Sequence, residues 1–347
     1  RRARFSTPAR TDTLIASYLR DGVFYVKNPG IVPRGRDSML TRINKPTSVD
    51  AIFSLGLLTA TGGHPTRLWK RNVERGGMTV EEGDGGFMWL IDTQSDLARK
   101  FPKLIAQRPD FIKAILIFSE EYEKRRQDRS DSDWRGLDPS LMPEIVRRAH
   151  AAGLRVSAHV ESAHDFHVAV GAGVDEINHI PGFRGKEQIQ IPRPDIFQIA
   201  PADAKRAAAQ NIVVVTTLGG IGYVSRTGAD SLQRRALDNL ARHNLRVLRG
   251  AGVKLAIGSD GYRDNSTGEV KYLRELGIFS DMELLRLWSE ATPCAIFPNR
   301  KVGCLEHGCE ASFQVFAASP AADLGNVKSA RMRMKDGYIL KSSGPGS

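Results

Sequence analysis

The 347-residue chain is 41% hydrophobic and 26% charged, an ordinary globular composition long enough for one large α/β domain with a small appendage. Its 50 Lys and Arg against 39 Asp and Glu leave a net charge of +11. The basic residues are dispersed outside two local clusters, "RRARFSTPAR" and "EKRRQDR", and no helix-turn-helix, finger or RNA-binding signature accompanies them, which argues against a nucleic-acid partner. No apolar run reaches the roughly 18 residues of a transmembrane helix, so no membrane partner is expected.

Three cysteines, Cys294, Cys304 and Cys309, are too few for a disulfide framework. "GCLEHGCE" brings Cys304, His307 and Cys309 together but lacks the paired CxxC of a zinc site, so it reads as a linker. The chain opens on Arg-Arg with neither an initiator Met nor an apolar leader, and its last residues, "KSSGPGS", have linker composition. Neither end identifies a compartment.

Taken in order, "VFYVK" (23–27) reads as a strand, followed by a short helix near 36–43 and a second strand, "DAIFSLG" (50–56). A long glycine-rich connection carries "TGGHPT" and "EEGDGG". A helix over 93–107 contains Pro102, a residue that kinks or breaks helices. "FIKAILIF" (111–118) is an apolar strand interrupted by Lys113. A helix over 139–152 then leads into strand "RVSAHV", a helix over 163–172 into "VDEINHI", a helix over 201–210 into "IVVVTT", and a long helix over 230–249 into "VKLAIG" (253–258). Helices near 270–276 and 281–292 follow. Repeated β-α alternation with Val/Ile-rich strands predicts a parallel sheet covered by helices. From residue 303 the texture changes to short antiparallel strands, "SFQVFAAS", "VKSARMRM" and "YIL", with "KDG" as a hairpin turn.

Four polar residues interrupt or end the apolar strands: Lys113, His159, His179 and Asp260. Any one of them has an ordinary structural explanation. Together they recur at one level of successive β-α units, and in a closed barrel they would converge at the carboxyl ends of the strands. Imidazole and carboxylate are suitable ligands for zinc and similar ions.

The stretches "IKAILIFSEEY", "GLRVSAHVESAHDFHVAVGAGVDEINH", "LAIGSD" and "ELLRLWSEATPCAIF" resemble the amidohydrolase superfamily, with the imidazolonepropionase and prolidase-like branch nearest. The resemblance covers residues 10 to 340. It implies a (β/α)8 TIM-type barrel over 1–302, part of a small β-sandwich over 303–341, and a linker or tag remnant over 342–347. It also implies one or two divalent metal ions, zinc first among them. Carried over by motif, His159, His179 and Asp260 would be metal ligands, with Asp260 also the catalytic acid/base. Lys113 would be a ligand as a carboxylated lysine, since an unmodified ammonium would repel the metal. His64 of "GGHPT" is similar to a loop histidine facing substrate, and Tyr122 and Arg263, also following strand ends, are candidates to contact it. His164, His167 and His243 read as helix-surface residues.

One departure is serious. The family's first strand ends in His-x-His, and no His-x-His occurs in this chain. The seven strands counted fit strands two to eight, so strand one is expected in an upstream segment of the parent protein. The strand at 23–27 should then be open beside 253–258 or covered by something other than a native first strand. The expected activity is metal-dependent hydrolysis of an amide or peptide-like C–N bond in a small-molecule or peptide-like substrate. The alternatives are an esterase or lactonase using the same site, or a metal-poor fragment or binding protein without turnover. A homo-oligomeric assembly is allowed.

Overall fold

The computed structural model describes residues 8–30, 32–128, 133–184, 193–219, 230–261 and 265–340. Its centre is a seven-stranded, all-parallel sheet. The strands are β3 (Leu57–Thr59), β4 (Met88–Leu90), β5 (Ile112–Ile115), β6 (Val156–His159), β7 (Glu176–Asn178), β8 (Val213–Thr216) and β9 (Lys254–Ile257), in the order β4-β3-β5-β6-β7-β8-β9. Ahead of it, β1 (Tyr25–Asn28) and β2 (Asp50–Phe53) form a separate parallel pair. At the other end, β10 (Phe313–Phe316), β11 (Ala330–Lys335) and β12 (Tyr338–Leu340) form an antiparallel sheet. Its last hairpin turns on Asp336-Gly337, both at positive φ (51° and 79°), as "KDG" predicts.

Strand alternation explains both the core and the site. Ile112 and Ala114, Ala158, Ile177, Val214, Leu255 and Ile257 belong to the main core, packed with helix residues such as Leu97, Phe101, Ile145, Phe166 and Leu245. The intervening positions carry Lys113, Ser157, His159, Glu176 and Asn178 on β5 to β7, all buried. On β8 and β9 they carry Val213, Val215 and Ala256, capped by Ala295. The opposite face is therefore polar under three strands and apolar under two.

Several sequence expectations need correction. "DAIFSLG" is not one strand. Leu55 and Gly56 take positive φ (53° and 101°) and divide it into β2 and β3. A Cβ at position 56 would lie 2.7 Å from the Gly86 carbonyl oxygen, so only glycine fits there. The glycine-rich connection conceals β4, and a helix, Pro8–Arg20, precedes β1 where none was assigned. Pro102 lies inside the helix Gln94–Ala106 without ending it. Cys304 and Cys309 are joined in a disulfide, which leaves Cys294 as a free thiol.

Among the described residues β1 does not pair with β9. The helix Thr292–Ile296 packs against both instead. Thr292 Oγ1 accepts a hydrogen bond from the Ile257 backbone N–H (2.9 Å), and the Tyr25 and Phe297 rings meet edge to face at 5.7 Å. The edge of β1 is thus covered by a helix rather than by a strand.

Candidate active site

A cavity of about 370 Å³ opens at the carboxyl ends of these strands, lined by Lys113, His159, His179 and Asp260 together with His64. Each reaches it by a different local device. Lys113 lies within β5 on the polar face, and His159 ends β6 on the same face. His179 follows Asn178, so simple alternation would turn it away. Its φ of 76° redirects the side chain, and both neighbours line the cavity. Asp260, three residues past β9, is likewise at positive φ (52°). Such re-aiming at strand ends is one way a sheet presents consecutive side chains to one site.

The two imidazoles meet edge to face with ring centroids 4.6 Å apart. His64 stacks on His159 at 5.2 Å. Burial holds both His159 and His179 well below the usual histidine range. For His159 the charges of His64, Lys113 and Arg184 add to the effect, and for His179 those of His159, Lys113 and Arg184 lead. Both rings are therefore neutral at pH 7. Burial also lowers Lys113 to about 7, with Lys27 pushing the same way and Glu176 and Asp260 opposing. Asp260 is exposed to the cavity but ringed by protein. Loss of bulk water raises its carboxyl pKa against the pull of Lys113, Arg184 and His64.

Several partners had no place in the sequence reading. Glu161, fully buried, accepts from His159 Nε2 (3.0 Å) and from Arg184. Thr217 Oγ1 bonds His179 Nδ1 at 2.7 Å, and Asp133 Oδ2 bonds His64 Nδ1 at 3.0 Å. Deeper in the cavity, Lys27 donates to Glu176 (2.7 Å), which also accepts from Ser157 and Asn178, while Asn178 Oδ1 accepts from Lys113. Burial pushes the Glu176 carboxyl up, but Lys27 and Asn178 outweigh it and hold it down to about 2. Lys27 shared the signature that singled out Lys113, a lysine in an apolar strand, and Glu176 is an acid in the middle of "VDEINHI". Asp133 left no sequence signal.

Tyr122 begins a one-turn helix, Tyr122–Arg125, and is not among the residues lining the cavity. Arg263 lies outside the described residues. The donors fit a divalent cation chemically, because two neutral imidazoles, a carboxylate and a lysine poised near neutrality share one cavity. Lys113, His159 and His179 rest on hydrogen bonds to Asn178, Glu161 and Thr217, and among the described residues no three His, Cys, Asp or Glu are gathered around one point as an ion's ligands.

No protein-family description and no curated protein matches this sequence. Solved structures do match the fold. Ochratoxinase of A. niger aligns at a TM-score of 0.72 and 19% identity, over 98% of this chain and 76% of that one. A prolidase complexed with N-methylphosphonate-L-proline aligns at 0.69 and 19% identity, over 95% and 78%. A protein described as an amidohydrolase aligns at 0.69 and 18% identity, over 94% and 78%. The parallel sheet, its strand-end cavity and these alignments agree: the chain shares the fold of these solved structures.

Proposed function

We propose that this protein is a metal-dependent hydrolase of an amide or peptide-like C–N bond. The observation that carries the reading is the meeting of Lys113 of β5, His159 of β6, His179 just after β7 and Asp260 three residues past β9 in one cavity. Solved structures of the same fold named an ochratoxinase and a prolidase support the reading. Closure of the parallel sheet into a barrel, the sandwich membership of β10 to β12 and the domain limits at residues 302 and 341 belong to the same reading.

His159 and His179 would hold the ion, with Lys113 as a carbamate and Asp260 as further ligands; zinc suits this set, as one ion or two. The ion would supply Lewis acidity, which polarises a carbonyl and makes water more acidic. Asp260 takes the proton of the attacking water on its carboxylate and returns it to the leaving nitrogen. Its raised pKa narrows the gap between the two transfers. Thr217 and Glu161 fix the orientation of the two imidazoles. His64, fixed through Nδ1 by Asp133, offers its other nitrogen to a substrate oxygen. Ring contact with His159 keeps His64 beside the reacting centre.

The test is metal content per chain, with hydrolysis rates on a matched panel of amides and esters, for the parent and Asp260→Asn. The expectation is bound divalent metal, turnover fastest on an amide, and a loss of about a hundredfold or more in the folded variant. Faster ester cleavage would assign the site to an esterase or lactonase. A metal-loaded protein inactive on every member would overturn the hydrolase reading.

A further inference from the structure

The helix Ala163–Ala172 carries two histidines that the cavity does not use. His164 and His167 are both exposed, three residues apart, with ring centroids separated by 6.0 Å. The helix follows β6, the middle strand of the seven, so this face is remote from the seam between β1 and β9. Each ring is held through Nδ1: Ser119 Oγ bonds His164 at 2.9 Å, and Asp203 Oδ1 bonds His167 at 2.8 Å. Neither partner is a loose surface group. Ser119 is buried and donates its backbone N–H to Asp165 (2.8 Å), and Asp203 is buried in the first turn of the helix Pro201–Ala209. Among the described residues, Nε2 of both rings has no hydrogen-bond partner.

A ligating histidine donates its second ring N–H to an oxygen acceptor, which fixes the tautomer and leaves the other nitrogen's lone pair for the ion. A carboxylate only accepts, so in the neutral His167 ring Nδ1 carries the proton and Nε2 the open lone pair. Ser119 Oγ can accept from His164 in the same way. Side chains three apart on a helix are neighbours. Two rings bound to one ion through nitrogens at about 2.0–2.1 Å have centroids roughly 5–6 Å apart, so the observed 6.0 Å asks for little movement. The positive end of the helix disfavours a cation here. The carboxylates of Asp165 and Asp203 offset it, with that of Glu120, which lies within Coulombic reach of His164. Arg206, 3.8 Å from Asp203, takes part of that carboxylate's charge.

We propose that His164 and His167 form a second metal site, a two-histidine chelate for an exchangeable divalent ion of the zinc or copper type, separate from the cavity. Imidazole suits these ions. Among the described residues no third His, Cys, Asp or Glu joins the pair as a ligand, so water completes the coordination and the site stays open, unlike a structural zinc site. The proposal is independent of the hydrolase reading and holds whether or not the cavity binds metal.

The probe is zinc chloride, titrated by calorimetry into the chelator-treated full chain and into variants whose fold is checked by circular dichroism. His164→Gln/His167→Gln should bind one ion fewer per chain than the parent, with any binding in the cavity unchanged. Each single variant should bind that ion about tenfold more weakly or worse, because a chelate needs both rings. Asp203→Ala, which leaves both rings in place, should weaken it about tenfold. Asp203→Asn serves if the alanine variant does not fold. An unchanged ion count in the double variant overturns the proposal. Single variants that keep near-parental affinity also overturn it, since they would mean two independent one-histidine contacts. Affinity indifferent to loss of the Asp203 carboxylate overturns it as well and leaves an adventitious ion only.

Discussion

Burial of His159 and His179 ties the site to the protein's acid sensitivity. Both titrate well below 6.5 when folded, because a buried imidazolium beside Lys113 and Arg184 is unfavourable. Unfolded, each returns to about 6.5. Below that pH the unfolded chain binds more protons, so their contribution is complete above about 6.5 and declines as the pH falls toward the folded values. The urea midpoint of the metal-free protein should therefore drop between pH 7.5 and 5.5. A His159→Asn/His179→Asn variant should lose less over the same interval; an equal loss would place the acid sensitivity elsewhere. At this scale the sequence displayed Lys113, His159, His179 and Asp260 clearly, because polar residues stand out in apolar strands. It could not display their partners. Thr217 and Asp133 meet His179 and His64 across 38 and 69 residues of sequence, which no local pattern encodes, while Glu161, two residues after His159, carries no mark in the sequence that its carboxylate meets that ring.

The loops after β5 and β6 are joined by a single carboxylate. Asp165, in the first turn of the helix Ala163–Ala172, accepts from the backbone N–H groups of Phe118, Ser119, Glu161 and Ser162 at 2.8 to 3.0 Å. Its own N–H is capped by Ser162 Oγ, closing a capping box. Removing the carboxylate would leave buried donors without an acceptor, each worth about 1–3 kcal/mol. Asp165→Ala should lower stability by at least about 3 kcal/mol in urea unfolding, and activity should fall with it because Glu161 supports His159. A loss under about 1 kcal/mol would mean that water replaces the carboxylate. The helix itself was legible to the residue, since its Ser-x-x-Asp start and its Gly173 end are local signals. Strand lengths were overestimated, as apolar composition continues past the last ladder bond: "FIKAILIF" is paired only over Ile112–Ile115. β4, with three residues, is too short to show a period.

The small antiparallel sheet is tied to the rest of the molecule through charge. Asp50 on β2 receives Lys335 of β11 at 2.9 Å and Arg300 at 2.8 Å, and Arg300 also pairs with Glu310 at 2.5 Å. Lys335 and Asp50 have side chains only 2% and 7% exposed, so the pair is shielded from salt. Asp50→Asn leaves the buried ammonium without its counter-charge. It should cost about 3–5 kcal/mol, read by denaturant unfolding, and should expose β10 to β12 to proteolysis before the parallel sheet. Unfolding as stable as the parent's would show that the Lys45 carbonyl oxygen, 3.1 Å from Lys335 Nζ, and the nearby Glu310 suffice. The β-α alternation made the parallel architecture legible in advance, but this clamp joins residues 285 apart in the chain and had no sequence signature. The helix Thr292–Ile296 between β1 and β9 was equally hidden, although it determines how the wall of the cavity is held. Across β5 to β9 the wall is a backbone ladder, whose geometry is nearly independent of side-chain identity. At the seam it is held by side-chain contacts such as Ile257 to Thr292 and Tyr25 to Phe297. A substitution there can widen, narrow or re-tilt the chamber while every rung of the ladder and every reacting group stays in place.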